Sequence, residues 1–441
     1  MRKFLLASAA TLGMVAGATS AAHAQAAKPP APGTLVVHLN GLLTYQLDDV
    51  GSSVSTYGGS KLNPITNTGF LRLYPGFDAM TTGGFEYGVA AEIRDAYTNA
   101  GQGMQQNSTA QSGNGAESLD IRRAYAYFGT KEAGIMRVGQ GDTAFSLMQD
   151  GVFENFGDGQ QWNSDGGIGT IVPSATIPTW LWADQRLMYA SMKIVYLSPD
   201  VAGFNFGVGF EPNSNGFMEG LANCATATTT CAALASTPGG AGDARRKNTI
   251  DGMLQYTGEF SGVGVKVSGG YLFGSPVGNS GPGVITGTKI FGNYKSLAVA
   301  QLGGQVSYAG FMLGANVKEG QVNNNYTFLL PGQRKALDWL ISAEYNAGPV
   351  TVGGYYFSNQ SAGNPLAARG VARTEQDNGV AVGANYAITP NIGLFVTYVY
   401  GQRKQYGFDF ANNSTVGAAT YNAAYDRTHT QAIGAGAALK W

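Results

Sequence analysis

From residue 34 onward the sequence is built from short runs in which apolar and polar residues alternate. Beyond the N-terminal segment, no apolar run approaches the roughly 18 residues that a membrane-spanning helix needs. A period of two is the side-chain repeat of a β-strand. In the first run Leu35, Val37, Leu39, Gly41, Leu43, Tyr45 and Leu47 share one face, opposite His38, Asn40, Thr44 and Gln46. Phe70 to Ala79 sets Leu71, Leu73 and Phe77 against Arg72, Tyr74 and Asp78. The third run sets Phe85, Tyr87, Val89, Ala91 and Ile93 against Glu86, Glu92 and Arg94. This predicts an all-β chain. Alternation alone leaves open whether the apolar faces meet a soluble core or lipid.

The spacing of the breaks separates those two outcomes. Short turns fall near Met80–Gly83, Thr130–Gly134, Pro199–Gly203, Glu259–Gly262, Ala309–Gly310, Asn346–Pro349 and Thr389–Asn391. Between them lie longer polar stretches at 48–68, 96–116, 141–185, 212–247, 274–295, 319–335, 359–376 and 402–424. Short turns on one side and long loops on the other are the pattern of an outer-membrane β-barrel, here with about 16 antiparallel strands. The composition agrees. Only 12% of residues are charged, while there are 65 glycines, 23 tyrosines and 21 phenylalanines. A soluble β protein carries more surface charge. An arginine or lysine facing lipid at mid-bilayer costs roughly 2–4 kcal/mol. His38, Arg72, Glu86, Glu92 and Arg94 are therefore expected on a wet inner wall. The final run, Ile433 to Trp441, places an aromatic ring in the interfacial girdle.

The N-terminus adds a destination. Met1-Arg2-Lys3, the apolar Phe4 to Gly17 and the small-residue site Ala22-His23-Ala24 predict a secretory signal cleaved after Ala24. A Pro-rich leader over 25–33 and a barrel over 34–441 follow. Export to the bacterial outer membrane, with lipid as its surroundings, is the expectation. With 27 basic and 28 acidic residues there is no basic excess of the kind nucleic acid requires. The two cysteines, Cys224 and Cys231, are close in sequence. They predict a local disulfide in a surface loop, with two free thiols as the alternative. They offer too few ligands for a metal site, and no cofactor is expected. Val138 to Ala144 reads G-x-G-x-x-A but lacks the βαβ context of a dinucleotide site. His38 and His429 fall in the first and last strands, neighbours on closure, yet no Ser or Asp motif accompanies them. An enzyme is not expected.

One stretch has no period. Gly141 to Gln185 is long, glycine-rich and acidic, carrying Asp142, Asp150, Glu154, Asp158 and Asp165. An insert of this length in a compact chain is usually functional. It is expected to fold into the barrel as the third long-side loop and narrow it. Strand parity places Arg122 inward and Arg123 at the lipid rim, because Leu119, Ile121, Tyr125 and Tyr127 share the parity of Arg123. Parity also places Lys193 inward.

Four motifs resemble those of the Gram-negative general porin family: FLRLYPGFD (Phe70–Asp78), IRRAYAYFGT (Ile121–Thr130), VYLSPDVAGFNFGVGF (Val195–Phe210) and FENFGDG (Phe153–Gly159). The resemblance implies a homotrimeric channel for small hydrophilic solutes and ions. It implies that the acids Asp150 and Glu154, with Asp158 nearby, face wall arginines at a constriction, Arg72 and Arg122 matching two of these. Arg94 and Lys193 extend that set. This chain lacks the family's proline before the glutamate and inserts the apolar Ile168 to Trp182. A sugar- or anion-selective channel is the alternative, with Trp162, Trp180 and Trp182 as a stacking surface.

Overall fold

The structure, a computed structural model, describes residues 30–53, 56–57, 60–61, 63–96, 118–162, 166–173, 178, 188, 191–214, 246–276, 283–285, 288–290, 294–363, 374–405, 408–410, 414–415 and 426–441. The signal, most of the leader, Cys224, Cys231, Trp180 and Trp182 lie outside the described residues.

Sixteen strands form the barrel, in chain order, with three two-stranded sheets beside them among the described residues. The first eight are β1 Thr34–Ser52, β2 Ile65–Met80, β3 Glu86–Ala96, β4 Ser118–Thr130, β5 Gly134–Gln140, β6 Met192–Leu197, β7 Phe204–Asn213 and β8 Arg246–Phe260. The second eight are β9 Val263–Pro276, β10 Leu297–Tyr308, β11 Phe311–Gln321, β12 Ala336–Ala347, β13 Val350–Ser361, β14 Glu375–Thr389, β15 Ile392–Gln405 and β16 Arg427–Lys440. Each pairs antiparallel with its neighbour in sequence. β16 pairs with β1, from Leu42↔Lys440 to Ser52↔Thr430, and closes the barrel. Closure leaves no open sheet edge, which is the condition for a β-structure in lipid.

The connections alternate as the sequence predicts. Those at 81–85, 131–133, 198–203, 261–262, 309–310, 348–349 and 390–391 are short, and the ones between them are long. Four are two-residue turns, and in two of these, Ser261-Gly262 and Ala309-Gly310, φ is positive at both positions. That geometry matches the twist of the flanking strands, and glycine adopts it without a Cβ clash.

The expected polar loop over 48–68 is shorter. β1 continues to Ser52 and β2 begins at Ile65. Asp48 and Thr68 are buried inner-face residues of paired strands, and Gln46 Nε2 donates to Asp48 Oδ1 at 2.6 Å. A strand end with a polar inner face reads as a loop in sequence.

The outer faces are apolar. Leu35, Val37, Leu39, Leu254, Leu302, Leu313, Ile341 and Leu394 are all exposed. Exposed aromatics gather near the short turns: Phe85, Phe128, Phe204, Phe260, Tyr308, Phe311, Tyr345 and Trp441. Phe311 and Tyr345 stand 4.2 Å apart, and Phe204 and Tyr256 4.7 Å apart. A ring of aromatics at one level is the girdle of a membrane barrel. Of these rings the sequence predicts only Trp441 in the girdle. Trp441 exchanges backbone hydrogen bonds with Gly41, and its ring fills the space where a side chain at 41 would stand.

Besides polar wall and a small cluster of Leu42, Phe70 and Tyr74, the described interior holds two larger apolar clusters. In one, Phe145, Met148 and Met188 pack with Met253, Leu272, Leu297 and Tyr326. In the other, Phe156, Trp162, Ile168 and Val172 pack with Leu340, Tyr355, Phe357 and Val399. Both join the 141–191 connection to the inner wall.

Candidate functional site

The 141–191 connection touches strands around most of the barrel, which only a segment inside it can do. It opens with a four-residue helix, α1 (Ala144–Leu147), whose N-cap Thr143 accepts from Ser146 N–H. Phe145 N–H donates to Asp251 of β8 at 2.8 Å. Asp150 N–H donates to Ser268 of β9 at 3.0 Å, and Asn316 of β11 donates to Asp150 O at 2.8 Å. Ser342 of β12 donates to Gly151 O at 2.8 Å. Asn385 of β14 bonds both the N–H (2.6 Å) and the carbonyl (2.7 Å) of Gly157, and Asp158 N–H donates to Thr397 of β15 at 2.7 Å. Arg72 of β2 donates to Gln160 Oε1 at 2.8 Å. Inward side chains, most of them uncharged, thus satisfy backbone groups of a loop that has no ladder of its own.

The wall leaves room for this path. At Gly353 a Cβ would collide with Phe156, and Gly151, at φ +82°, lies against the carbonyls of Gly304 and Ala315.

Opposite this path, on β2 to β4, four guanidinium groups surround one carboxylate. Arg72 and Arg94 are directly paired across β2 and β3. Like charges so placed repel. Glu92 relieves the repulsion: its Oε1 accepts from Arg94 Nε at 2.7 Å and Arg122 Nη1 at 3.3 Å, and its Oε2 accepts from Arg123. Arg123 also holds Asp142 by two contacts, at 2.6 and 2.9 Å. Arg72 stacks 4.5 Å above the Phe70 ring.

Arg123 is a correction to the sequence reading, which set it at the lipid rim. The β3–β4 register shifts between Glu92↔Arg123 and Ile93↔Ile121, so Arg122 is an extra residue in a β-bulge. Parity reverses across it. Leu119 and Ile121 are exposed on the outer face, while Arg123 is buried and Tyr127 turns inward to donate to Asp78. Arg122 and Arg123 therefore both reach Glu92.

The loop acids stand elsewhere. Asp150 is buried against the opposite wall and accepts from Gln255 at 2.9 Å. Burial pushes its carboxyl above the ordinary range, against the opposing pulls of Gln255 and Lys266. Asp158 folds back on its own loop, accepting Gln160 N–H at 3.0 Å and Ile168 N–H at 2.7 Å. Glu154 lies within electrostatic reach of Lys318. The described acids that meet the arginines are Glu92 and Asp142.

Lys193 is buried at the neck of the loop, beside Glu211 at 3.8 Å. Glu211 accepts from Arg246 at 2.9 and 3.0 Å. Neither Glu211 nor Arg246 stands out in the sequence; Arg246 opens β8 straight after a low-complexity stretch. His38 faces Asp78 at 3.4 Å near the start of β1, with Glu86 on β3 at the same end. His429 is exposed on β16 at the other end of the barrel, so the two histidines do not meet. Trp162 is buried in an apolar cluster and donates to Val380 O at 3.3 Å, a packing role that takes it out of any stacking surface.

A family model described as Gram-negative porin matches residues 7–406. The chain belongs to the Gram-negative porin family. Among solved structures the porin resembles an anion-selective porin from Comamonas acidovorans, with TM-score 0.53 and 12% identity, covering 92% of this chain and 100% of that one. It also resembles the outer membrane channel DcaP of Acinetobacter baumannii, with TM-score 0.53, 12% identity and coverage of 94% and 100%. The trimer form of OmpT, an outer membrane protein of Vibrio cholerae, gives TM-score 0.50, 13% identity and coverage of 92% and 100%. At these identities the likeness is one of fold. No curated protein sequence matches. The porin is thus an outer-membrane channel for passive diffusion, as the sequence predicted.

Proposed function

We propose that this porin passes small hydrophilic solutes and ions through a narrow zone with positive excess, so that anions cross more readily than cations. The observation that carries the reading is the β2–β4 wall: Arg94, Arg122 and Arg123 gather on Glu92, Arg123 also holds Asp142, and Arg72 is paired across from Arg94. Asp150 and Asp158, assigned to the constriction by resemblance, are occupied in anchoring the loop and offset little of that charge. In a confined water path with low-dielectric walls, a cluster of like charges focuses the field and sets which ion enters. The match to the porin family supports a channel rather than an enzyme. The trimer form of the similar OmpT of Vibrio cholerae supports assembly as a homotrimer.

Planar-bilayer recording tests this. Purified protein is expected to give discrete conductance steps, and a salt gradient a reversal potential of the sign for anion preference. Arg94→Gln with Arg122→Gln should move that potential toward cations. A wild-type channel that prefers cations, or an unchanged potential in the double variant, overturns the reading.

A further inference from the structure

The Lys193 ammonium lies where the 141–191 connection leaves the wall and returns to it. Nζ donates to Gly141 O at 2.5 Å, Met188 O at 2.8 Å, Ser191 O at 2.9 Å and Ser191 Oγ at 3.0 Å. Gly141 directly follows β5 and Ser191 directly precedes β6, so a single side chain holds both limbs. The β5–β6 ladder stops at Gln140↔Met192, and beyond it backbone pairing no longer ties the limbs together. An ammonium suits this place: it offers three donors to converging oxygens, where a planar guanidinium cannot converge.

A cation buried this fully needs a counter-charge. Glu211, on β7, supplies it at 3.8 Å, and is itself fixed by Arg246, by Thr249 at 3.2 Å and by the Ser191 hydroxyl. The neck is thereby fastened to β6, β7 and β8. From the other side, Arg123 of β4 grips Asp142, the residue next to Gly141. The outgoing limb is thus pinned between two walls.

We propose that Lys193 is a positioning residue rather than a member of the constriction: it fastens the neck of the 141–191 segment and so fixes where that segment, and Asp142 with it, stands in the channel. The inference rests on the channel reading above. Anchors farther along, at Asp150 and Gly157, hold the middle of the segment to β9–β14. The neck alone decides how the segment sets out from β5.

Single-channel recording of Lys193→Met tests the proposal, because methionine fills similar space and removes all three donors. The expected result is a folded barrel whose single sharp open level is lost to several interconverting levels, with closure at a lower voltage than in wild type. Ser191→Ala removes one acceptor and should keep the sharp level. A Lys193→Met channel with the wild-type level, noise and closing voltage overturns the proposal even if its thermal midpoint falls, since only a stabilising role would then remain. If Lys193→Met does not fold, Lys193→Gln carries the same comparison with a shorter polar side chain. Absence of any steps from the wild-type protein overturns the channel reading instead, so the two failures are distinct.

Discussion

Asp158 shows how a loop acid can serve its own loop before it serves a solute. Its carboxylate accepts the N–H groups of Gln160 and Ile168, and its own N–H reaches Thr397 on the wall. Burial pushes the carboxyl above the ordinary aspartate range, more strongly than those N–H groups pull it down. The folded chain therefore binds this proton more tightly than the unfolded chain. The resulting stabilisation is full below the ordinary aspartate range and is lost as pH rises through the raised value. Amide hydrogen-exchange protection at Gln160 and Ile168 should fall across that window. Asp158→Asn should flatten the profile, and a wild-type profile already flat would sink the assignment. None of this was legible in sequence. Spacing gave Asp150, Glu154 and Asp158 the look of a constriction set, but partners such as Gln255 and Thr397 are far away along the chain. Those contacts exist only once the barrel has closed.

At the scale of the element, strand number and order could be read because two independent rhythms agree: side-chain alternation along each strand, and the long–short alternation of connections. β4 broke the first rhythm. Two adjacent arginines must normally point to opposite faces, and the sequence reading assigned them so. The bulge at Arg122 admits both to the interior and turns Tyr125 and Tyr127 inward after them. A bulge is a property of two paired strands, so one strand's sequence does not show it. A deletion checks this directly. Removing Arg122 leaves Ile121 and Arg123 adjacent, which restores strict alternation with Ile121 outward and Arg123 inward. The deletion variant should therefore fold as a closed barrel, observed as heat-modifiable migration and β-type circular dichroism. Its reversal potential should shift toward cations in the same direction as for Arg122→Gln. A variant that fails to fold, or that folds with unchanged selectivity, would show that the bulge itself holds the wall.

For the whole molecule, the ladder and the interior filling are separable contributions to stability. Every strand is hydrogen-bonded on both sides through the β16–β1 closure, so the wall does not need the loop in order to satisfy its backbone. Beside its hydrogen bonds to the wall, the loop contributes apolar cover: Phe156, Trp162, Ile168 and Val172 pack on inward Leu340, Tyr355, Phe357 and Val399. This also accounts for the described part of the apolar insert that begins at Ile168, which packs the loop to the wall. Each fully buried side chain of this size is worth about 1.5–3 kcal/mol when taken from water. Removing the cover should therefore lower stability by several such increments without opening the ladder. Replacing residues 149–173 by a short Gly-Ser linker is expected to give a folded barrel with a lower thermal midpoint and a larger single-channel conductance. It should also weaken the selectivity set at β2–β4, because the path widens while the arginines stay in place. Loss of the folded barrel in this variant would mean that the interior clusters, and not the closed ladder, hold the porin together. An unchanged conductance would mean that the segment lies outside the water path.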